Sequence, residues 1–458
     1  MQKLFSFDRT HFSQGLSVSK SYPTGFFKTA IGIDMFRTPD TYGLPCVGFA
    51  NSQRNGYNDE IRAFVKRGVY IYAYGANGYL YRIDSTSISG TGYTPTILDS
   101  GHESGRTQAR ALAVYNDDGS DKLFYFFQDK IGMYDIGGGT FNNSYKTGLD
   151  DSYHDALEFK GILYFCNGDS VGSLNGTTLN LAALQLPLGY VTRDIKPYKT
   201  YIAILAQSYN SGVSKLFLWD TYTTGGYNYE YTINESCTAL EIFNDDLAVF
   251  GNNVRLFNFG AFNVIWELNP SMEMRYCKTA FFNNTLYWKD YNKIMAYGSP
   301  VSKLPPCLYS PLAVDDGGAG SNTGAIFPLD TESSKFLVNT NASGSKVWYC
   351  GAGNALGVFE TVDIAAGHNR LKKFVFTIES PYTTGNVSFR LKINNNGLEI
   401  ANIVKSYTYS STDRVTRVIF DTNTLPLDNF SFSLDVGYSD LLIKNCEIYG
   451  EPSEQPTK

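Results

Sequence analysis

Charge is scarce in this chain: 18% of its 458 residues are Asp, Glu, Lys or Arg, and the formal balance is −6. Lys and Arg gather into no basic stripe, which argues against broad binding to phosphate backbones, so no sequence-specific nucleic-acid binding is expected. No run of eighteen apolar residues occurs, so no helical membrane span is expected. The opening residues, MQKLFSFDRTHFSQG, lack the uninterrupted apolar core of a signal peptide, and synthesis in the cytoplasm is the expectation. Seven cysteines, at 46, 166, 237, 277, 307, 350 and 446, show none of the paired spacings of zinc sites or disulfide frameworks and read as buried free thiols. The four histidines, His11, His102, His154 and His368, share no ligand spacing. No G-x-S-x-G elbow, P-loop or HExxH is present. Neither a catalytic constellation nor a cofactor or metal is therefore expected, and the chain reads as a non-enzyme.

Aromatic residues are abundant, at 15%, with 34 Tyr and 31 Phe, as suits strands that stack rings across a sheet. A short pattern recurs about every forty residues: an aromatic, a polar turn, then two alternating strands, as in Phe159 to Phe165, Phe243 to Phe250 and Phe282 to Trp288. Fixing on the aliphatic residue that opens each hairpin gives Val69, Leu123, Leu163, Ile202, Leu247 and Leu286, spaced 54, 40, 39, 45 and 39 apart. Apolar runs upstream, such as Ala111 to Tyr115, Cys237 to Phe243 and Cys277 to Phe282, read as the strands nearest a central axis. Cys237 and Cys277 then occupy equivalent core positions in neighbouring units. One hairpin unit cannot bury its apolar face without neighbours, so the period predicts a β-propeller of six to seven blades, possibly eight. A seventh unit is expected from Cys46 to Ala50 or from residues after Pro300.

The fold class expected is all-β: an extended N-terminal arm and possible blade-closing strand over 1–50, the propeller over 51–300, a linker or closing blade over 301–334, an antiparallel β-sandwich of jelly-roll type over 335–450, and a disordered tail over 451–458. The sandwich rests on alternating strands at Lys346 to Cys350, Leu371 to Glu379, Val387 to Ile393, Val415 to Phe420, Phe430 to Val436 and Leu441 to Tyr449, separated by turn residues.

This order of parts resembles virion proteins of tailed bacteriophages, in which an arm with a G-I-D segment and prolines precedes a propeller and a sandwich follows. Here the arm is GIDMFRTPDTYGLP, Gly32 to Pro45, and the passage into the sandwich is FETVDIAAGHNRLKKFVFTIESP, Phe359 to Pro381. The resemblance implies a structural protein of the virion, made in the host cytoplasm, forming a tail nozzle, a hub or adaptor ring, or a receptor-binding element. It also implies a homo-oligomer, other tail proteins as partners, and host attachment through a surface glycan or receptor. A glycan-binding or carbohydrate-active, adhesin-like propeller is the alternative.

Candidate contact residues are few. The segment Thr221 to Tyr231, TYTTGGYNYEY, offers Tyr222, Tyr227, Tyr229 and Tyr231 for stacking on sugars or anchoring a partner; equally, it reads as a long hairpin whose tyrosines pack on the rim. Arg62, Arg110, His154, Asp155 and Asp194 lie in comparable places just before or within inner strands, where propellers open onto their axis. They read as the polar lining of a wet channel before they read as an active site. The acid pairs Asp117-Asp118, Asp150-Asp151, Asp245-Asp246 and Asp315-Asp316 read as turn residues, since adjacent strand positions face opposite ways. Gly351 to Gly357 follows an apolar strand but leads into another strand, so no helix N-terminus exists there to hold a pyrophosphate.

Overall fold

In the computed structural model the described residues are 1–7, 15–16, 26–31, 44–46, 52–54, 57, 60–88, 94–100, 111–116, 119–150, 153–223, 225–282, 284–291, 293–298, 306–313, 324–329, 336–340, 346–350, 357–379, 385–410, 412, 415–437 and 441–453. Contacts divide the chain into two compact units, Met1–Asn51 with Lys293–Val314 and Cys350–Lys458, and Ser52–Asn292 with Asp315–Tyr349.

Seven four-stranded antiparallel sheets repeat along the chain among the described residues. Five of them are Ile61–Arg67 to Thr96–Ser100, Leu112–Asn116 to Phe141–Thr147, Ala156–Phe159 to Thr178–Gln185, Tyr190–Tyr198 to Tyr229–Ile233, and Ala239–Phe243 to Ala261–Glu267. The sixth comprises Ala280–Phe282, Thr285–Asp290, Lys293–Gly298 and Cys307–Ala313. The seventh joins Ile326–Pro328, Phe336–Thr340 and Lys346–Cys350 to the distant strand Ser52–Arg54, which pairs Arg54 with Val347. From the first sheet to the seventh, the first strand of each neighbours the first strand of the next, and the seventh returns to Ile61–Arg67 through its second strand, Phe336–Thr340, so the sheets close into a ring. This is a β-propeller, as the forty-residue period predicts.

Each blade is a local product of hairpins, and its second strand is the most deeply buried: Tyr70–Gly75, Asp121–Phe126 and Ile162–Asn167 each have at least five consecutive buried positions. Burial on both faces is what a blade between two neighbours requires. Val69 departs from the expected anchor series. It sits 51% exposed after the turn at Gly68, and Ile71 is the buried equivalent of Leu163 and Ile202. Cys237 and Cys277 are both buried ahead of inner strands, and with Cys166 and Cys446 they are free thiols. Burial pushes the thiols of Cys166, Cys237 and Cys446 upward.

The boundaries differ from the sequence reading in two places. Three strands of the seventh blade come from residues after Pro300, one of the two sources expected, while the closing strand is Ser52–Arg54 and not Cys46 to Ala50; Leu44–Cys46 instead pairs with Leu441–Pro452. Lys346–Cys350, expected to open the sandwich, is the third strand of the seventh blade. Both differences have one cause: a three-residue strand such as Ser52–Arg54 carries no periodicity and is placed by its partner. The residues 47–50, most of the Gly32 to Pro45 segment and the tail from 454 lie outside those described.

In the other unit the expected strands build one eleven-stranded sheet in place of two separate ones. Ile364–Glu379, sixteen residues long, pairs with Leu441–Pro452 on one side and with Pro426–Val436 and Val415–Asp421 on the other. Its register slips between Ala365 and Asn369, where Gly367 and His368 both adopt positive φ, and Pro426–Val436 continues on to pair with Gly357–Thr361 and Gly385–Asn395. The sheet curls, so that Phe432 meets Phe374 and Phe376 with ring centroids 5.5 and 6.1 Å apart. Gln2–Phe7 is a strand of this sheet, paired with Leu441–Pro452, where an extended arm or blade-closing strand was expected.

In two successive blades a glycine faces an aromatic ring across the strand pair: Gly132 opposite Tyr125 and Gly172 opposite Phe165. A methyl added at either glycine would fall inside the facing ring. Gly172→Ala is therefore expected to destabilise the ring by about 1–3 kcal/mol, the range for overpacking a filled core. A lowered urea midpoint would register the loss, and adding Phe165→Leu to the same chain should recover part of it.

Candidate functional site

The inner strands and the loops that precede them hold a set of polar side chains, most of which fasten one blade to the next. His154, fully buried, places Nδ1 2.6 Å from the Cys166 carbonyl oxygen and Nε2 2.8 Å from that of Gln128. Carbonyls only accept, so both bonds form together only when both ring nitrogens carry protons. Thr192 donates from both its backbone N–H and its hydroxyl to the Gly168 carbonyl, at 2.8 and 2.9 Å. Asp194 accepts from the Leu240 N–H at 2.6 Å, and Glu241 accepts from the Thr279 hydroxyl at 3.0 Å. Lys278 and Ala325 form a parallel bridge between the sixth and seventh blades. His154 and Asp194 are thus inter-blade fasteners, which accounts for their near-complete burial without a ligand.

The loop after the fifth blade, with its short helical turn Met274–Tyr276, reaches across this end of the ring. Lys278 Nζ lies 2.7 Å from Asp155 Oδ1, linking the sixth blade to the third, three places away around the ring. The Tyr153 hydroxyl donates to the Arg275 carbonyl over a similar span. Arg62, from the first blade, stacks on the Tyr276 ring with its guanidinium carbon 4.1 Å from the centroid, and Arg275 stacks on the same ring at 4.6 Å. A cation over an aromatic face is attracted by the ring quadrupole, so these contacts help hold the turn in place. Of the expected axial residues, Arg62, His154, Asp155 and Asp194 therefore gather at one end of the ring, while Arg110 lies outside the described residues.

Three members of this end carry no sequence signal of their own: Arg193, Arg275 and Lys278. Arg193 was hidden by the alternation rule. In the first and fourth blades the inner strand carries a β-bulge, where Ile61 pairs with Gly75 and Ala63 with Tyr74, and where Thr192 pairs with Ala206 and Asp194 with Leu205. The extra residues are Arg62 and Arg193. A bulge re-aims the side chain it inserts. Arg193 Nε donates to Gln207 Oε1 at 2.8 Å, and Gln207 Nε2 donates to Ser236 Oγ at 2.5 Å. Burial first, and the charge of Arg275 second, push the Arg193 guanidinium below its ordinary range.

The tyrosine-rich segment is ordered by Asp220. Its Oδ1 accepts from the N–H groups of Tyr222 and Thr223 at 2.9 and 2.8 Å, and its Oδ2 accepts from Asn228 Nδ2 at 3.0 Å. The Thr223 backbone bond leads these in holding the Asp220 carboxyl down at about 2. The four tyrosines do not form one platform. Tyr227 packs on Phe217 at 4.5 Å and donates to Glu230 Oε2 at 2.5 Å, which raises its phenol to about 12. Tyr231 packs on Phe257 at 4.7 Å, in the core between the fourth and fifth blades. Tyr222 is 75% exposed beside Lys160, whose Nζ lies 4.4 Å from the ring centroid. Tyr229 joins Tyr201 and Phe259 in a partly exposed aromatic group, with centroids 5.7 and 5.4 Å away. Phe259 holds φ at 32°, a backbone region costly for a bulky side chain, in a turn where polar residues or glycine are usual.

Among the described residues no three or more His, Cys, Asp or Glu side chains group as metal ligands, and no helix is long and apolar enough to cross a membrane. No protein-family model and no curated protein matches the chain. Among solved structures it is similar to a computationally designed protein, Ika8, at 14% identity and a TM-score of 0.39 over 65% of this chain and 98% of that one. It is also similar to hydrazine synthase of Kuenenia stuttgartiensis, at 12% identity and a TM-score of 0.45 over 66% and 98%. Likeness at that level says nothing of what the chain binds or does.

Removing Lys278 leaves the nearly inaccessible Asp155 carboxylate without its ion-pair partner. Lys278→Met is expected to cost about 2–3 kcal/mol, below the 3–5 of a fully buried pair because the lysine keeps some solvent contact. A double-mutant cycle with Asp155→Asn, read by thermal melting, should show the pair losing less than the two single changes summed. For Asp220 the expectation concerns pH. Its unfolded carboxyl titrates at about 3.9, so its contribution is complete above that value and is lost as pH falls toward 2. An NMR titration of the Asp220 carboxyl should find its midpoint well below that of an ordinary aspartate, and the Asp220→Asn variant should lose this acid-range transition.

Proposed function

We propose that the chain is a structural virion protein of a tailed bacteriophage, working as a rigid tail component that assembles with copies of itself and with other tail proteins. The observation that supports this reading is the fastening of the ring. Buried side-chain bonds run from blade to blade at the inner strands, and Lys278 with Asp155 ties opposite blades across one end. A ring so connected resists deformation, which suits a part that transmits force or holds a fixed geometry. The order of an N-terminal segment, a propeller and a second β unit agrees with the resemblance carried by Gly32 to Pro45 and Phe359 to Pro381.

A second reading, an adhesin that binds glycans through its rim, draws on one feature: Tyr229 and Phe259, 43% and 40% exposed, beside Lys199, whose Nζ lies 5.0 Å from the Phe259 centroid. Exposed rings with polar groups at their edge suit the mixed surface of a sugar.

Peptide mass spectrometry and electron microscopy of purified particles decide the first reading: the chain is expected at a symmetric position in the tail, and its absence from every particle position would sink the idea. On a glycan array the second reading expects Tyr229→Ala to weaken binding by about tenfold, roughly 1.4 kcal/mol. Tyr227→Ala should leave binding nearly unchanged, because that ring is committed to Phe217.

A further inference from the structure

The third, fourth and fifth blades join their first two strands through two-residue turns, Lys160-Gly161, Lys199-Thr200 and Asn244-Asp245. The first residue of each holds a positive φ, at 53°, 55° and 53°. Asn is at home in this left-handed region and Lys is not, so the backbone gives no reason for the two lysines. Both instead reach the same kind of neighbour. Lys160 Nζ lies 4.4 Å from the centroid of the Tyr222 ring, and Lys199 Nζ lies 5.0 Å from that of Phe259. Each ring belongs to the turn between the third and fourth strands of the next blade along, so one arrangement of cation and ring occurs twice, one blade apart.

Fastening of the blades does not account for this repeat. Tyr222 is 75% exposed and Phe259 40%, whereas His154 and Asp194, which do fasten, are buried. Among the described residues neither lysine pairs with a carboxylate. Lys160 donates to the Asp220 backbone carbonyl at 3.1 Å, and the Asp220 carboxylate is itself taken up by Tyr222, Thr223 and Asn228. Asp246 lies near enough to feel the charge of Lys199 but forms no ion pair with it.

We propose that these two places are subsites for an acidic polysaccharide, each exposed ring taking the face of a sugar and each ammonium an acidic group beside it. The proposal rests on the glycan-binding reading above and adds to it the class of glycan and a second subsite. A sugar's C–H face suits an exposed ring, and its hydroxyl and carboxylate groups suit the polar edge. The attraction between an exposed ammonium and a ring is weak, so it orients each lysine without withdrawing it from a ligand. Packed sheets stand about 10 Å apart, a span that successive units of an extended glycan cross, and once one subsite is filled the other is met at high effective concentration. A chain whose acidic groups recur along its length fits this arrangement, and a single sugar does not. With a net charge of −6 the protein as a whole repels polyanions, which places the selectivity on these two lysines.

Binding of the purified full chain to an array of uronate- and sialate-bearing glycans, beside neutral glycans of matched length, tests the proposal. Acidic glycans of several units are expected to bind, with single acidic sugars and neutral glycans weaker by about tenfold or more. Lys160→Asn and Lys199→Asn, which copy the turn of the fifth blade and keep its backbone, should each weaken binding about tenfold, as should raised salt for the unaltered chain. Lys160→Arg should retain most of it. Lys146→Gln leaves it unchanged, because the ring beneath that lysine, Tyr145, packs against the core. Failure to bind any acidic glycan, or binding that either substitution to Asn leaves unchanged, overturns the proposal. Neutral glycans bound as tightly as acidic ones, with loss in Tyr229→Ala alone, overturn it while leaving the glycan-binding reading in place.

Discussion

A four-stranded blade is apolar on both faces, and only another blade on each side can cover them. Ring closure is therefore the constraint on which the remaining features depend. Alternating buried residues supply most of the attraction, but they are non-directional and would tolerate sliding. Fixed geometry comes from the polar bonds at the inner strands, where His154, Thr192, Asp194 and Glu241 each reach from one blade to a backbone or side-chain group of its neighbour. Such buried bonds are costly when half made, so they favour one arrangement of the blades over others.

The same constraint separates two kinds of polar residue at the ring's inner end. His154 and Asp194 are consumed in fastening, with every stated bond directed at backbone. Arg62 and Arg275 instead lie against the Tyr276 ring, and Arg193 is held by the neutral amide of Gln207.

The hairpins were legible in the sequence because they are local: a turn, two alternating strands and a repeat of known length define each of the blades from Ile61 to Glu267 without reference to distant residues. The seventh blade was legible only as an expected unit with residues after Pro300 as one source, since three short strands and a partner from residues 52–54 leave no period to read. Arg62 was found by its place ahead of an anchor, whereas Arg193 was concealed beside Asp194, because strict alternation assigns neighbours to opposite faces and a bulge breaks that rule. The tyrosines show the converse error. Tyr227, Tyr229 and Tyr231 have the spacing of one strand face, but the strand begins at Tyr229, and Asp220 and Asn228 turn the preceding loop so that Tyr227 enters a different core.

Pairing Arg54 with Val347 places residues 55 to 345, 291 in all, between two strands of one blade. On a ribosome adding about 5–20 residues per second, the strand at 52–54 waits roughly 15–60 seconds for its partner to be made. During that interval the first blade's inner strand has no neighbour on one side, and the growing protein is an open arc with an exposed sheet face at each end. The ring thus becomes a single cooperative body only late in synthesis, and the period before closure is when the chain is most exposed to proteases, to chaperones and to the unfinished arcs of other copies.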